Sequence, residues 1–533
     1  MPYALTTPLY YVNDKPHIGS AYTTMAVDAL ARWKRLQGEQ VVFITGCDEH
    51  GQKIHRSALA AAVEPQAYVD AVATSFSRLW QRAGVSHDRF IRTTDPRHRA
   101  IVQAFYQRVR DNGFIHSGRQ QGWYCVACEE YKDIDAAVAA DSASDGGRAA
   151  PPSCSIHQRQ LEWRDEENLF FRLSLFQERI AALVHRPGFI APQSRQREIQ
   201  NFVAGGLRDF SISRVDLPWG IDVPDQPGHT FYVWFDALLG YVTALLDPAE
   251  PANLTRAIAA GWPAQLHVIG KDILRFHAVY WPAMLMAADL PVPAKVFGHG
   301  FLTREGQKMG KTLGNTLDPA ALFERVGVEP VRWYLLRDIS FGDDGDFQQQ
   351  RFLDLVNNDL ANTIGNLLNR SISMTRRWFD NALPADPGCA ADPSHPLAIA
   401  AAKATAEATA AYEAQDLKRA AETALALATA ANAYLNAQAP WTAIKHGELR
   451  QQVQADLYAV LDCCRIVGLL LNPLVPNFAD RLLAQLGVAP LESERSAKAG
   501  SWLEQSRWGG LVAGAPLPEP ELLLARIELD GPL

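Results

Sequence analysis

The sequence predicts an α/β domain built on a parallel sheet, followed by an all-α helix bundle. Three observations carry this. Apolar Tyr3–Leu9, amphipathic Ala21–Leu36 and apolar Val41–Gly46 follow one another at the start of the chain, which is a strand–helix–strand unit. Two parallel strands need such a helical crossover between them. Gln265–Gly270 repeats the buried-strand pattern much later, and Ala398–Ala437 and Asp456–Leu471 are long helical stretches near the end. The second of these stops at Asn472–Pro473, and their alanine content suits close helix packing.

The first strand runs into Asn13–Asp14, a turn signal, and then into His17-Ile18-Gly19-Ser20 at a helix start. A strand, a tight loop and a helix N-terminus form an anion site, because first-turn N–H groups lack helical partners. An ordinary strand-to-helix turn reads the same way. A second stretch, Gly306-Gln307-Lys308-Met309-Gly310-Lys311-Thr312, is a glycine-flanked loop with two lysines three apart. The second strand ends in Cys47-Asp48-Glu49-His50-Gly51. Polar residues at the C-terminal ends of parallel strands line the ligand crevice of such sheets, while a helix N-cap at Asp48 is the plainer alternative.

Cys125 and Cys128 stand two residues apart, and after 25 further residues come Cys154 and His157, again two apart. Three thiolates and an imidazole at this spacing fit a closed tetrahedral zinc site. A redox pair at Cys125/Cys128 would leave the second pair unexplained. With four protein ligands the metal would be structural. Between the two halves, Ala136–Pro152 is rich in Ala, Ser, Asp, Gly and Pro and has no periodicity, so a loop is expected.

Gly228–Ala237 reads as a strand with an aromatic exit at Trp234, and Tyr241 follows. Beyond Gly270-Lys271-Asp272, a helix is expected in which Ile273, His277 and Trp281 share one face at i, i+4, i+8 spacing. Such stripes are commonly core, and two aromatic walls at one sheet edge would instead make an apolar pocket. In the helical half, Asn366 and Arg370 lie four apart on one face and Pro440–Trp441 ends the Ala-rich stretch. A solvated face and a core anchor are the bland alternatives. The tail beyond Ser506 is expected to lie over the surface.

With 533 residues the chain exceeds one core, and 48 % hydrophobic with 21 % charged residues is ordinary globular material. A net charge of −8 gives no global basic signature, so a nucleic-acid partner would need local stacking or basic patches. No apolar run is long enough to span a bilayer and no signal peptide is visible. Scattered cysteines in apolar context suit reduced thiols and a cytoplasmic location.

Taken together, these residues resemble the methionyl-tRNA synthetase family of class I aminoacyl-tRNA synthetases, over essentially the whole chain. His17-Ile18-Gly19-Ser20 resembles the class I "HIGH" signature and Lys308–Thr312 resembles "KMSKS", in that order and with the knuckle between them. Pro8-Leu9-Tyr10-Tyr11, Asp48, Val233–Ala237 with Tyr241, Gly270–Ile273 with Phe276–His277 and Trp281–Pro282, Asn366/Arg370 and Pro440–Trp441 match further family motifs. Ser20 departs from the usual histidine, and Gly310 and Thr312 from the usual serines.

The resemblance implies a Rossmann-like catalytic domain in two halves (1–115 and 226–300) around an inserted connective subdomain with the knuckle (116–225). A KMSKS-like linker (301–355), a helical anticodon-binding domain (356–505) and a tail (506–533) follow. It implies methionine activation with ATP and Mg²⁺, then transfer to tRNA(Met). His17, Lys308 and Lys311 are the implied catalytic residues, with Gly19 and Ser20 also binding ATP. Leu9, Tyr11, Asp48, Trp234, Ala237, Tyr241, Asp272, Ile273, His277 and Trp281 are the implied methionine contacts. Asn366, Arg370 and Trp441 would read the anticodon, and Cys125, Cys128, Cys154 and His157 would hold structural zinc. No appended dimerisation domain is recognisable, so a monomer is expected. A sulfur contact from Tyr11 or His277 is expected, because an apolar pocket alone separates similar side chains by only ~1–3 kcal/mol. Synthetases for cysteine, leucine, isoleucine or valine, and an inert nucleotide- or tRNA-binding relative, are the competing readings.

Overall fold

The computed structural model describes residues 2–126, 130–132, 151–154, 159–215, 217–247, 249, 251–309, 315–384, 387–489, 502–529, 531 and 533. Six strands form one parallel sheet: β1 (Tyr3–Tyr11), β2 (Val41–Asp48), β3 (Arg89–Arg92), β4 (Ile190–Ala191), β5 (Leu266–Gly270) and β6 (Val296–His299), in spatial order β3-β2-β1-β5-β6-β4. The order reverses direction between β1 and β5. In an open parallel sheet that is where the chain leaves opposite faces from neighbouring strands, opening a crevice at their C-terminal ends. The loop carrying His17 follows β1, and Lys271 follows β5.

The strands are apolar almost throughout because both faces are covered. One core lies under α1 (Ile18–Leu36) and continues into the helices of the second half, from Trp33 and Leu79 to Trp333, Leu457 and Leu470. The other core, with Phe105, Phe171, Phe235, Tyr241 and Trp281, covers the opposite face. Inserted before β4 is a separate antiparallel sheet in which Ile115–Cys125 pairs with Glu162–Phe171 over ten residue pairs.

A buried ion pair locks α1 to the helical half. Asp28 Oδ2 is 2.8 Å from Arg332 Nη2 and 2.9 Å from Arg32 Nε, and both Asp28 and Arg332 side chains are fully enclosed. Ser86 donates N–H and Oγ–H to Asp28 Oδ1. Burial alone would raise the Asp28 carboxyl, but Arg32, Arg332 and Ser86 outweigh it and hold the group well below the usual carboxylate range. Arg332 Nε in turn donates to the Leu474 carbonyl, and Trp33 stacks on Tyr412 at 4.6 Å.

Three elements differ from the sequence expectation. The strand expected over Gly228–Ala237 stops at Phe231, pairs antiparallel with Ser213–Val215 outside the main sheet, and gives way to a helical turn at Val233–Ala237. The single helix expected after Gly270 is a 3₁₀ turn (Lys271–Ile273), a π-helical turn (Phe276–Tyr280) and then an α-helix (Trp281–Ala287). The Ala-rich stretch is two antiparallel helices, Pro396–Glu413 and Leu417–Gln438. No Gly or Pro marks the break: Gln415 adopts φ +59° and Asp416 caps the next helix by accepting from Arg419 N–H. No helix among the described residues is long and apolar enough to cross a membrane.

Candidate active site

His17 is the N-cap of α1. Its Nδ1 accepts from the backbone N–H groups of Gly19 and Ser20 at 3.1 and 3.3 Å, and the Ser20 hydroxyl accepts from His17 N–H at 3.0 Å. This is a capping box with an imidazole in place of the usual hydroxyl. The first-turn N–H groups expected to face an anion are therefore already satisfied. Because Nδ1 is an acceptor, the neutral ring carries its proton on Nε2, and the exposed side chain offers that N–H outward. Ser20 is buried, and its hydroxyl also donates to the His17 carbonyl, so it serves the cap.

Across β1 and β2, Tyr11 pairs in register with Asp48, the last residue of its strand. Asp48 is buried, and Lys53 lies over the Tyr11 ring. The next two residues are anchored by partners distant in sequence. Glu49 takes Arg92 Nε at 2.6 Å and the Thr94 hydroxyl. His50 Nδ1 is 3.0 Å from Asp236 Oδ2, and Asp236 is fully enclosed. Burial pushes the Asp236 carboxyl up while His50 opposes it. The pair ties the end of β2 to the helical turn that carries Trp234 and Ala237. None of these partnerships was legible locally, since Asp236 lies 186 residues from His50.

Trp234 stacks face to face on Phe276 at 3.9 Å, joining the two expected aromatic walls. Tyr241 Oη lies 2.9 Å from His277 Nε2, and His277 Nδ1 is 3.1 Å from the Ile273 carbonyl. A carbonyl can only accept, so Nδ1 carries the proton and Tyr241 donates to Nε2. Burial lowers His277 to about 4, which keeps the ring neutral. Both ring nitrogens are thus engaged. Gly240 makes room for Leu9: a Cβ there would lie 2.4 Å from Leu9 Cδ1. Trp281, fully buried against Trp262 and Phe105, stands in the core behind these residues. Asp272 and Ile273 occupy the short turn after β5.

Lys308 ends a short hairpin beyond β6 and is exposed. Lys311 lies outside the described residues. In the inserted segment Cys125 and Cys154, one from each half of the expected knuckle, are both buried and pack together with Leu161. Cys128 and His157 lie outside the described residues, and among those described no group of three metal-ligating side chains forms. In the helical half, Asn366 opens the helix Asn366–Trp378 on its exposed side, and the Arg370 guanidinium lies 5.4 Å from the Trp441 ring centroid. Trp441 is 40 % exposed and so is not the core anchor it could have been. Asn436, which the sequence did not single out, accepts from Arg370 at 3.2 Å.

Residues 3–372 match the family model described as tRNA synthetases class I (M), and residues 386–531 match the anticodon binding domain of methionyl tRNA ligase. The chain belongs to the methionyl-tRNA synthetase family. It is similar to the methionine–tRNA ligase of Synechocystis sp., with 49 % identity across 99 % of this chain and 98 % of that one. The chloroplastic/mitochondrial methionine–tRNA ligase of Arabidopsis thaliana is 45 % identical across 99 % of this chain and 83 % of that protein. Among solved structures, Mycobacterium tuberculosis methionyl-tRNA synthetase in complex with methionyl-adenylate superposes with a TM-score of 0.89 at 38 % identity, covering 98 % of this chain and all of that one.

Proposed function

We infer that the chain is a methionine–tRNA ligase. It activates L-methionine with ATP to methionyl-adenylate and pyrophosphate, then transfers the methionyl group to the 3′-terminal ribose of tRNA(Met). The observation that carries this reading is full-length kinship to such ligases in a chain whose switch-point crevice brings Asp48, Tyr11 and the Tyr241–His277 pair to one sheet edge.

The chemistry asks for positioning and charge neutralisation more than for a side-chain nucleophile, because the methionine carboxylate is itself the nucleophile at the α-phosphate. In this reading Asp48 pairs with the α-ammonium. His17 donates from Nε2 to the phosphates, and Gly19 and Ser20 support it through the cap. Lys308 and Lys311 stabilise the charge that builds on the α-phosphate, and Mg²⁺ accompanies the ATP. Leu9, Tyr11, Trp234, Ala237, Tyr241, Asp272, Ile273, His277 and Trp281 line or back the amino-acid pocket. A thioether is polarisable and packs well against aromatic edges; Tyr241 gives its O–H to His277 Nε2, which leaves Tyr11 as the residue to supply a polar contact to sulfur. Trp441 stacks on an unpaired anticodon base while Asn366 and Arg370 meet base edges.

Cys125, Cys128, Cys154 and His157 would hold one structural Zn²⁺. The burial of two cysteines from separate half-sites in one cluster supports this. Elemental analysis should find one zinc per chain, and chelation should lower the melting temperature. A metal-free protein with an unchanged melt would remove the zinc from the scheme. The subdomain limits near residues 115, 225, 300, 355 and 505, and a cytoplasmic location, belong to the same proposal.

Amino-acid-dependent ATP–pyrophosphate exchange across all standard amino acids tests the function. Methionine should be the one strong substrate. Preferential activation of cysteine, leucine, isoleucine or valine would reassign the chain within class I, and no exchange at all would mark it as an inert relative.

A further inference from the structure

Lys308 stands on a hairpin too short to hold itself. Leu302–Arg304 pairs antiparallel with Gln307–Lys308 through two residue pairs, and Glu305 and Gly306 join them at φ +49° and +75°. Two consecutive positive φ angles are the type I′ geometry, which favours glycine or asparagine and not glutamate at its first position. An isolated two-stranded hairpin is marginal in water even when longer.

The hairpin is held from its other edge. Gly345–Phe347 pairs parallel to Leu302–Arg304, placing Asp346 opposite Thr303. One oxygen of the Asp346 carboxylate accepts from the Thr303 hydroxyl at 2.7 Å and from the Gly306 backbone N–H at 2.9 Å. The other accepts from Gln348 Nε2 at 2.9 Å. One carboxylate thus grips a strand residue and the turn glycine, and Lys308 follows two residues later. Glu305 adds a backbone bond to the Phe347 carbonyl and accepts from Gln349 N–H. The same acidic segment is fixed to the crevice, because Asp344 takes Lys271 Nζ at 2.6 and 2.7 Å directly after β5.

We propose that Asp346 is a positioning residue for adenylate formation: by clamping Thr303 and Gly306 it holds the Lys308 strand in the one register from which its charge meets the reacting phosphate. This rests on the reading of Lys308 as the charge-stabilising group. The segment Asp344–Asp346 therefore acts as the base plate of the signature loop.

A double-mutant cycle on the full chain tests it, using Lys308→Ala, Asp346→Ala, Asp346→Asn and the double variant Lys308→Ala/Asp346→Ala. The readouts are methionine-dependent pyrophosphate exchange, KM for methionine and the melting temperature. Asp346→Ala should lower the exchange kcat about tenfold or more, since small misplacements of a charge-stabilising group are costly, with KM for methionine little changed. Asp346→Asn keeps an acceptor for Thr303 and Gly306 and should recover most of the rate. In the Lys308→Ala background, loss of Asp346 should cost almost nothing further, as expected for residues acting as a unit. Multiplying effects in the double variant would overturn the proposal, as would wild-type exchange in both Asp346 variants. If Asp346→Ala lowers the melt, the cycle is read at a temperature where all four proteins are folded, and effects that multiply there still overturn the proposal. Unaltered exchange in Lys308→Ala alone would instead refute the role given to Lys308, and this proposal with it.

Discussion

The amino-acid crevice and the Trp441 cluster use the same residue types on opposite plans. In the crevice, Tyr241 and His277 are each 1 % exposed and satisfy one another's hydrogen bonds. At the far end, Trp441 keeps 40 % of its surface in water, with Arg370 beside it and Asn366 exposed. In the proposed reading the difference follows from what each would recognise, a methionine side chain in one case and an unpaired base in the other. A small thioether offers little binding surface, so selectivity has to come from a desolvated, pre-formed wall. There an unmade hydrogen bond costs about 1–3 kcal/mol. An unpaired base brings its own large face, so an exposed ring waiting for a stacking partner is enough.

Acid should separate the two plans most sharply. Burial pushes His277 and His299 down to about 4 and His98 to about 3, and His267 also lies well below its ordinary value. Between pH 6.5 and 4 the unfolded chain binds protons that these folded rings refuse. Stability is therefore full above the unfolded value and falls as pH drops through that window, on the order of 1.4 kcal/mol per pH unit per histidine. Asn366 and Trp441 carry no ionisable group. Urea melts at pH 7, 6 and 5 should show a steep loss, with hydrogen exchange rising first around the crevice. A flat stability between pH 7 and 5 would mean that these rings are not enclosed as described.

A smaller effect is expected from Tyr241→Phe, which leaves the His277 nitrogen unpaired in a dry site. Methionine activation should weaken by about 1–3 kcal/mol, and discrimination against norleucine should narrow with it. If selectivity is untouched, the Tyr241–His277 pair does not shape the wall that faces sulfur, and Tyr11→Phe is the variant to test next. Trp441→Ala should lower aminoacylation by a similar ~1–3 kcal/mol, the worth of one stacked base, while pyrophosphate exchange stays near wild type. Equal losses in both assays would show that Trp441 supports the fold and not the tRNA. The smallest change belongs to Arg370→Ala: an exposed cation–π contact is worth about 0.5–1 kcal/mol, so only the tRNA step should respond.

The sequence alone determined the class of fold, the order of its parts and most of the candidate residues. Those signals are local: apolar strands around a helix, a histidine–glycine turn at a helix start, lysines three apart, cysteines two apart. Periodicity and turn chemistry act over a few residues, so they can be read from a few residues. It could not tell that His17 would cap its own helix and turn Nε2 outward. Neither could it tell that the helix after Gly270 would break into three forms, or that Gln415 would bend an alanine-rich run without a glycine or proline. Tertiary structure alone decided the partnerships: Asp28 with Arg332, His50 with Asp236, Tyr241 with His277, and Asp346 with Thr303 and Gly306. A buried polar group must find a partner, but which one it meets depends on the packing of segments far apart in the chain.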